Sequence, residues 1–137
     1  MKKLIIAAAF ILLAGVAFGQ HLQKGVIVGV HHLTITPKSG VTVDQYLDFF
    51  KNKYIPEFEK HVDGWKGFIV KGNKGEHVNE YGMVWYIESM KDHDKYMNQD
   101  GGTTDEYEAV MEKLQPMQDE LDKLGTWSSE FTDWVIQ

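Results

Sequence analysis

Apolar residues recur along this chain with two different periods, and the switches between them mark its elements. Over residues 25–36 the period is two. Odd positions carry Ile27, His31, Leu33 and Ile35; even positions carry Val26, Val28, Val30, His32 and Thr34. Side chains of a strand point alternately to opposite faces, so a strand that is apolar at both sets is covered on both sides. The adjacent His31 and His32 therefore look into different environments. The same two-sided pattern returns over residues 65–71, with Trp65 and Ile69 against Phe68 and Val70. It returns again over residues 78–88, with Tyr81, Met83, Trp85 and Ile87 against Val84 and Tyr86. A looser alternation through Phe131, Trp134 and Val135 predicts a last strand over residues 127–136.

Between these runs the spacing becomes helical. Tyr46, Leu47, Phe50, Tyr54 and Phe58 share one face of a helix that reaches about His61. Thr42 and Gln45 stand where a capping box needs them, and Val41 with Tyr46 can form a hydrophobic staple. Pro56 is expected to kink or break this helix, because it removes the bond to Asn52. Ser89 begins a short helix with His93, Tyr96 and Met97 inward. Thr103-Thr104-Asp105-Glu106 begins a longer one, with Tyr107, Val110, Met111, Leu114, Leu121 and Leu124 on one face. Pro116 is expected to bend that helix, and Gly125 to follow its end. Its polar face holds Glu108, Glu112, Asp119, Glu120 and Asp122, read as solvated rather than metal-binding.

The order β-α-β-β-α-α-β describes an α+β domain of the ferredoxin-like, split βαβ kind. It predicts a four-stranded antiparallel sheet, with strands one and three central and helices on one face. The opposite face is then apolar and bare, which predicts a homodimer through the open sheet face.

The first residues follow a different grammar. Met1-Lys2-Lys3 is basic, residues 4–16 are apolar, and Val16-Ala17-Phe18-Gly19 places small residues at a cleavage site. Residues 1–19 are therefore expected to be a signal peptide and residues 20–137 the single domain. A membrane anchor is the alternative, but the apolar run is short for a span. Cleavage leaves no stable membrane anchor and implies an exported protein, periplasmic or secreted. The chain contains no Cys, which excludes disulfides, thiolate nucleophiles and thiolate metal sites. All 14 basic residues are Lys, and the net charge is −6. An acidic, Arg-free chain argues against nucleic acid as a partner and against bidentate phosphate binding.

Two local stretches carry a resemblance. One is His31-His32-Leu33-Thr34-Ile35-Thr36-Pro37 ahead of the capped helix; the other runs from Met83 through Trp85, Tyr86, Ser89 and His93 to Tyr96. With this element order the chain resembles the dimeric α/β-barrel superfamily, and within it the antibiotic-biosynthesis-monooxygenase-like branch. That resemblance implies a dimeric α/β barrel. Its members include cofactor-free oxygenases, haem-degrading enzymes, chlorite dismutases and proteins of no known activity. In haem-degrading members an Asn on strand one, a Trp on the helix after strand three and a downstream His form the site. Here His31 stands at the Asn position and Tyr96 at the Trp position, while the His has no counterpart around Asp105-Glu106-Tyr107. These departures argue against haem.

The candidate chemistry is modest. His31 and His32 are the candidate catalytic residues, to be tested separately; either imidazole could serve as a general base or be an ordinary hydrogen-bonded core group. Trp65, Trp85, Tyr86, His93 and Tyr96 are the candidate walls of a site for a small apolar or aromatic ligand; with Tyr81 and Trp127 they could equally serve core and dimer interface. No cofactor motif is present, and no residue is assigned to a metal. No two histidines have the helical zinc spacing; a metal set of His31 or His32 with His93 and a carboxylate is the remaining alternative weighed. The chain thus points to a small-molecule binder, monooxygenase-like and cofactor-independent, or alternatively to a non-enzymatic periplasmic binding or stress protein.

Overall fold

The computed structural model describes residues 22–137. The expected signal peptide lies outside the described residues. Four strands, β1 (Ile27–Pro37), β2 (Trp65–Lys71), β3 (Tyr81–Ile87) and β4 (Gly125–Val135), form one sheet in the order β2-β3-β1-β4. Every neighbouring pair is antiparallel. This is the ferredoxin-like, split βαβ arrangement, with β1 and β3 central as the element order predicts.

Register sorts the side chains into two layers. Ile27, Leu33, Met83, Trp85, Ile87 and Trp65 face the helices and are buried with Tyr46, Phe50, Tyr54, Ile55, Phe58, Val110, Leu114 and Leu121. Val28, Val30, Phe68, Val70, Val84, Tyr86 and Trp134 occupy the alternate positions. That second face carries no helix. Phe68 is 53% exposed, Val30 45% and Trp134 61%. An apolar stripe across four strands is thus open to solvent in the single chain.

The first helical stretch, residues 43–59, departs from expectation at its proline. It begins as α1 (Val43–Phe49), capped as the sequence indicates: Thr42 Oγ1 accepts from the Gln45 amide at 3.1 Å, and Gln45 Oε1 accepts from the Thr42 amide at 2.9 Å. Residues Phe50–Tyr54 then form a π-helical turn, and α2 (Ile55–Glu59) continues from it. Pro56 neither breaks nor ends the helix. The Ile55 amide bonds back to the Phe50 carbonyl, five residues earlier, and the proline sits at the start of the next turn. A widened turn just ahead of the ring gives the missing N–H and the bulky Cδ a place without losing helical direction. It also keeps Phe50, Tyr54, Ile55 and Phe58 buried together, with the Phe50 and Tyr54 rings stacked at 5.2 Å.

The short helix α3 (Met90–Tyr96) starts at Ser89, whose hydroxyl accepts from the Asp92 amide. The long helix α4 (Asp105–Leu124) is capped by Thr104, bonded to the Tyr107 amide, and runs unbroken over Pro116. Among the described residues no helix is long and apolar enough to cross a membrane. Gly125 ends α4 with extended backbone, φ 163°, and opens β4 directly. Glycine is required there by a neighbour rather than by handedness: a Cβ would lie 2.6 Å from the Thr36 carbonyl oxygen and 2.8 Å from Pro37 Cα. Gly125→Ala is therefore expected to prise β4 from β1 and cost about 1–3 kcal/mol, as overpacking does. The shift in urea midpoint measures it, and a change below a few tenths of a kcal/mol would contradict this packing.

Candidate functional site

Between the helix-facing side of the sheet and the π-helical turn lies a cavity of about 190 Å³. Phe50, Tyr54 and Phe58 form its helical wall; Trp65, Met83, Trp85 and Trp127 form its floor on the sheet. Tyr107 and Met97 close one side. Three residues of β4 complete it: Ser129, Phe131 and Asp133, at alternate positions. Phe131, 48% exposed, lies at the edge strand.

His31 is the basic group on this wall. It pairs in register with Phe131, and their rings stack at 4.8 Å and 11°. Its Nδ1 lies 3.1 Å from Ser129 Oγ, which fixes the ring orientation. Burial lowers the His31 pKa from its ordinary 6.5, and the Asp133 carboxylate opposes this more weakly. The imidazole is accordingly neutral at neutral pH and able to accept a proton. Burial, helped by nearby Tyr107 and Asp122, pushes the Tyr54 hydroxyl up to about 12. Burial likewise raises Tyr107, with Glu108 adding to it. Both phenols are therefore neutral donors, not bases.

Asp133 reaches the site because Gly29 of β1 leaves room: a Cβ on Gly29 would stand 2.6 Å from Asp133 Oδ1. The other oxygen, Oδ2, is 3.5 Å from His93 Nε2, while His93 Nδ1 is 3.0 Å from Asp94 Oδ1. The His93 ring also stacks nearly parallel to Trp65, 7° apart, with 6.4 Å between centroids. A chain of contacts thus runs from α3 through His93 to Asp133 at the cavity.

The residues singled out by sequence separate into three groups. His31, Trp65 and Trp85 line the cavity. His93 stands behind its wall, and so does Tyr96, buried edge-on against Trp65 with its hydroxyl accepting from the Asp63 amide. Tyr86 and His32 are elsewhere. Tyr86 pairs with Val28 and Lys66 on the open face, so it cannot share a wall with Trp85, its neighbour in sequence. His32 likewise projects from the other side of β1. Its Nε2 is 2.6 Å from Glu80 Oε2, and the same oxygen is 2.8 Å from His77 Nδ1. The sheet therefore lies between His32 and His93 and rules out a metal set containing both. Ser129 and Asp133 were missed. Their one sequence signal is the alternation Ser129, Phe131, Asp133, and nothing local says that this edge strand faces His31.

No protein-family model matches the chain, and no curated protein sequence is similar to it. Solved structures of similar architecture include SnoaB, a cofactor-independent oxygenase from Streptomyces nogalater. It is 11% identical with a TM-score of 0.47, and the match covers 82% of this chain and 94% of that one. A NIPSNAP family protein of unknown function from Agrobacterium tumefaciens is 12% identical with a TM-score of 0.47, over 84% and 92% of the two chains. A dimeric protein of unknown function with a ferredoxin-like fold, from Bacteroides fragilis, is 12% identical with a TM-score of 0.36, over 82% and 98%. Each is a likeness of general architecture. The fold assignment rests on this chain's own sheet order and helix placement.

The lowered pKa of His31 has a definite sign in stability. The unfolded chain takes up the proton first, so the favourable contribution is complete above about 6.5 and fades as pH falls through the folded value. The wild type is expected to lose stability relative to His31→Gln between pH 7 and pH 5, read from urea midpoints across that range. A gain over the variant on acidification would contradict the desolvated imidazole.

Proposed function

We propose that this protein binds a small, flat, apolar or phenolic molecule in the cavity beside His31, with His31 accepting a proton from it. The observation that carries this reading is the cavity itself: aromatic on nearly every side, yet holding a neutral, partly buried imidazole. At about 190 Å³ it is smaller than the few hundred Å³ of drug-sized sites, so one or two rings are the fitting scale. Aromatic walls hold such a ring by area and stacking, and one polar group sets its orientation. Deprotonation of a hydroxyl by His31 would leave an electron-rich anion shielded from water. In the cofactor-independent, monooxygenase-like form of this reading, that anion is the electron donor to dioxygen. A non-enzymatic binder needs only the first step, the binding.

The reading includes a homodimer with the two open sheet faces together, because Phe68, Val30, Val70 and Trp134 otherwise remain in water. It also includes export, on the strength of the basic start, apolar run and small residues ending at Gly19.

4-Nitrophenol is a suitable probe, since its absorption moves to longer wavelength when it ionises. Saturable binding to the wild type with a shift toward the ionised spectrum is expected, and His31→Ala should keep binding while losing the spectral shift. Binding with no spectral change in the wild type would leave a plain binder; no binding at all would sink the proposal. For assembly, light scattering should give a dimer for the wild type and a monomer for Phe68→Asp. A monomeric wild type at high concentration would refute the sheet-to-sheet dimer.

A further inference from the structure

We infer that His32, His77 and Glu80 form a binding site for a borderline transition-metal ion, Zn²⁺ or Cu²⁺, on the side of the sheet away from the cavity. The donor set is two imidazole nitrogens and one carboxylate oxygen, and all three ligand atoms lie within 4.8 Å of one another. Two histidines and one glutamate are a recurrent three-ligand set for zinc, with a further position open to water. Imidazole favours copper and zinc over calcium and magnesium, which want many oxygens.

The site is held in place by the backbone. His32 is fixed by β1, central in the sheet. The other two ligands come from the loop between β2 and β3, and that loop folds back on itself. The Gly72 amide donates to the Glu80 carbonyl at 2.9 Å, the Asn79 amide to the Gly72 carbonyl at 2.9 Å, and the Glu80 amide to the His77 carbonyl at 3.2 Å. Gly72 makes the fold possible, since a Cβ there would lie 1.8 Å from the His77 carbonyl oxygen. Asn79 takes a left-handed conformation, φ 67°, to complete the turn. The outcome is that His77 and Glu80, three apart, both meet a histidine 45 residues upstream of one of them.

The imidazole rings of His32 and His77 lie 4.5 Å apart by centroid and share one carboxylate oxygen. Glu80 Oε1 makes no side-chain bond to either ring. Both histidines hydrogen-bond through the nitrogens that would ligate. On binding, the ligating nitrogen of each ring gives up its hydrogen, the ring keeps an N–H on its other nitrogen, and the metal takes the freed lone pair. The two short separations, 2.6 and 2.8 Å, must open to about 3.4 Å, the edge of a tetrahedron with bonds near 2.1 Å. His77 and Glu80 are well exposed, so the opening requires only side-chain motion. Bound metal would tie the β2–β3 loop to β1.

The site is independent of the cavity and of any activity there. Its test is calorimetric titration of ZnCl₂ into the untagged protein after chelator treatment. One ion per chain is expected, together with a raised Tm. Both effects should disappear in His77→Ala and in Glu80→Gln and persist in His61→Ala, a histidine on another element. With Cu²⁺ in place of Zn²⁺, electron paramagnetic resonance should show two coupled imidazole nitrogens in the wild type, a signal lost in His77→Ala. Absence of stoichiometric binding in the folded wild type would overturn the assignment. So would equal binding by the wild type, His77→Ala and Glu80→Gln, which would mark an adventitious ion only.

Discussion

Side chains alternate across a β-sheet, and in this protein the alternation governs nearly everything else. Strand β1 sits between β3 and β4, so both of its neighbours repeat its division into faces. Only one face is covered by helices. The register therefore sends His31 into a walled cavity and His32, the next residue, to the opposite side. Two identical side chains acquire unlike chemistry from one backbone fact. His31 is desolvated, stacked on Phe131 and held by Ser129, whereas His32 shares a carboxylate with His77 near solvent.

The electrostatics of the cavity follow from the same partition. An imidazole buried among aromatic rings resists protonation, and phenols buried beside it resist ionisation. One acceptor and two neutral donors are thus placed around an apolar space. The π-helical turn at Phe50–Tyr54 is part of this arrangement, since Phe50, Tyr54 and Phe58 all reach the wall from residues on either side of Pro56. Pro56, expected to break the helix, instead follows directly on the turn that shapes the site.

Much of the fold was legible because it depends on local chemistry. Thr42 with Gln45, and Ser89 with Asp92, are capping pairs whose geometry needs no distant partner. The two-sided apolar strands announced a sheet with a second, uncovered face. What could not be read was register and loop closure. Ser129 and Asp133 join the site only because β4 pairs with β1 so that Phe131 meets His31. His77 and Glu80 meet His32 only because the loop after Gly72 doubles back. Residue type groups Tyr86 with Trp85, though alternation alone separates adjacent positions. The outcome at Pro56 was also illegible, because a proline's effect depends on whether the preceding turn can widen.

The opposing placement of the two adjacent histidines is most directly tested by nuclear magnetic resonance of their ring nitrogens. Long-range proton–nitrogen correlation spectra would be recorded while a small phenol is added to the wild type. The His31 ring signals should move along a saturable curve and those of His32 and His77 should stay in place. Movement of His32 with His31 unchanged would contradict the cavity assignment and the partition from which it follows.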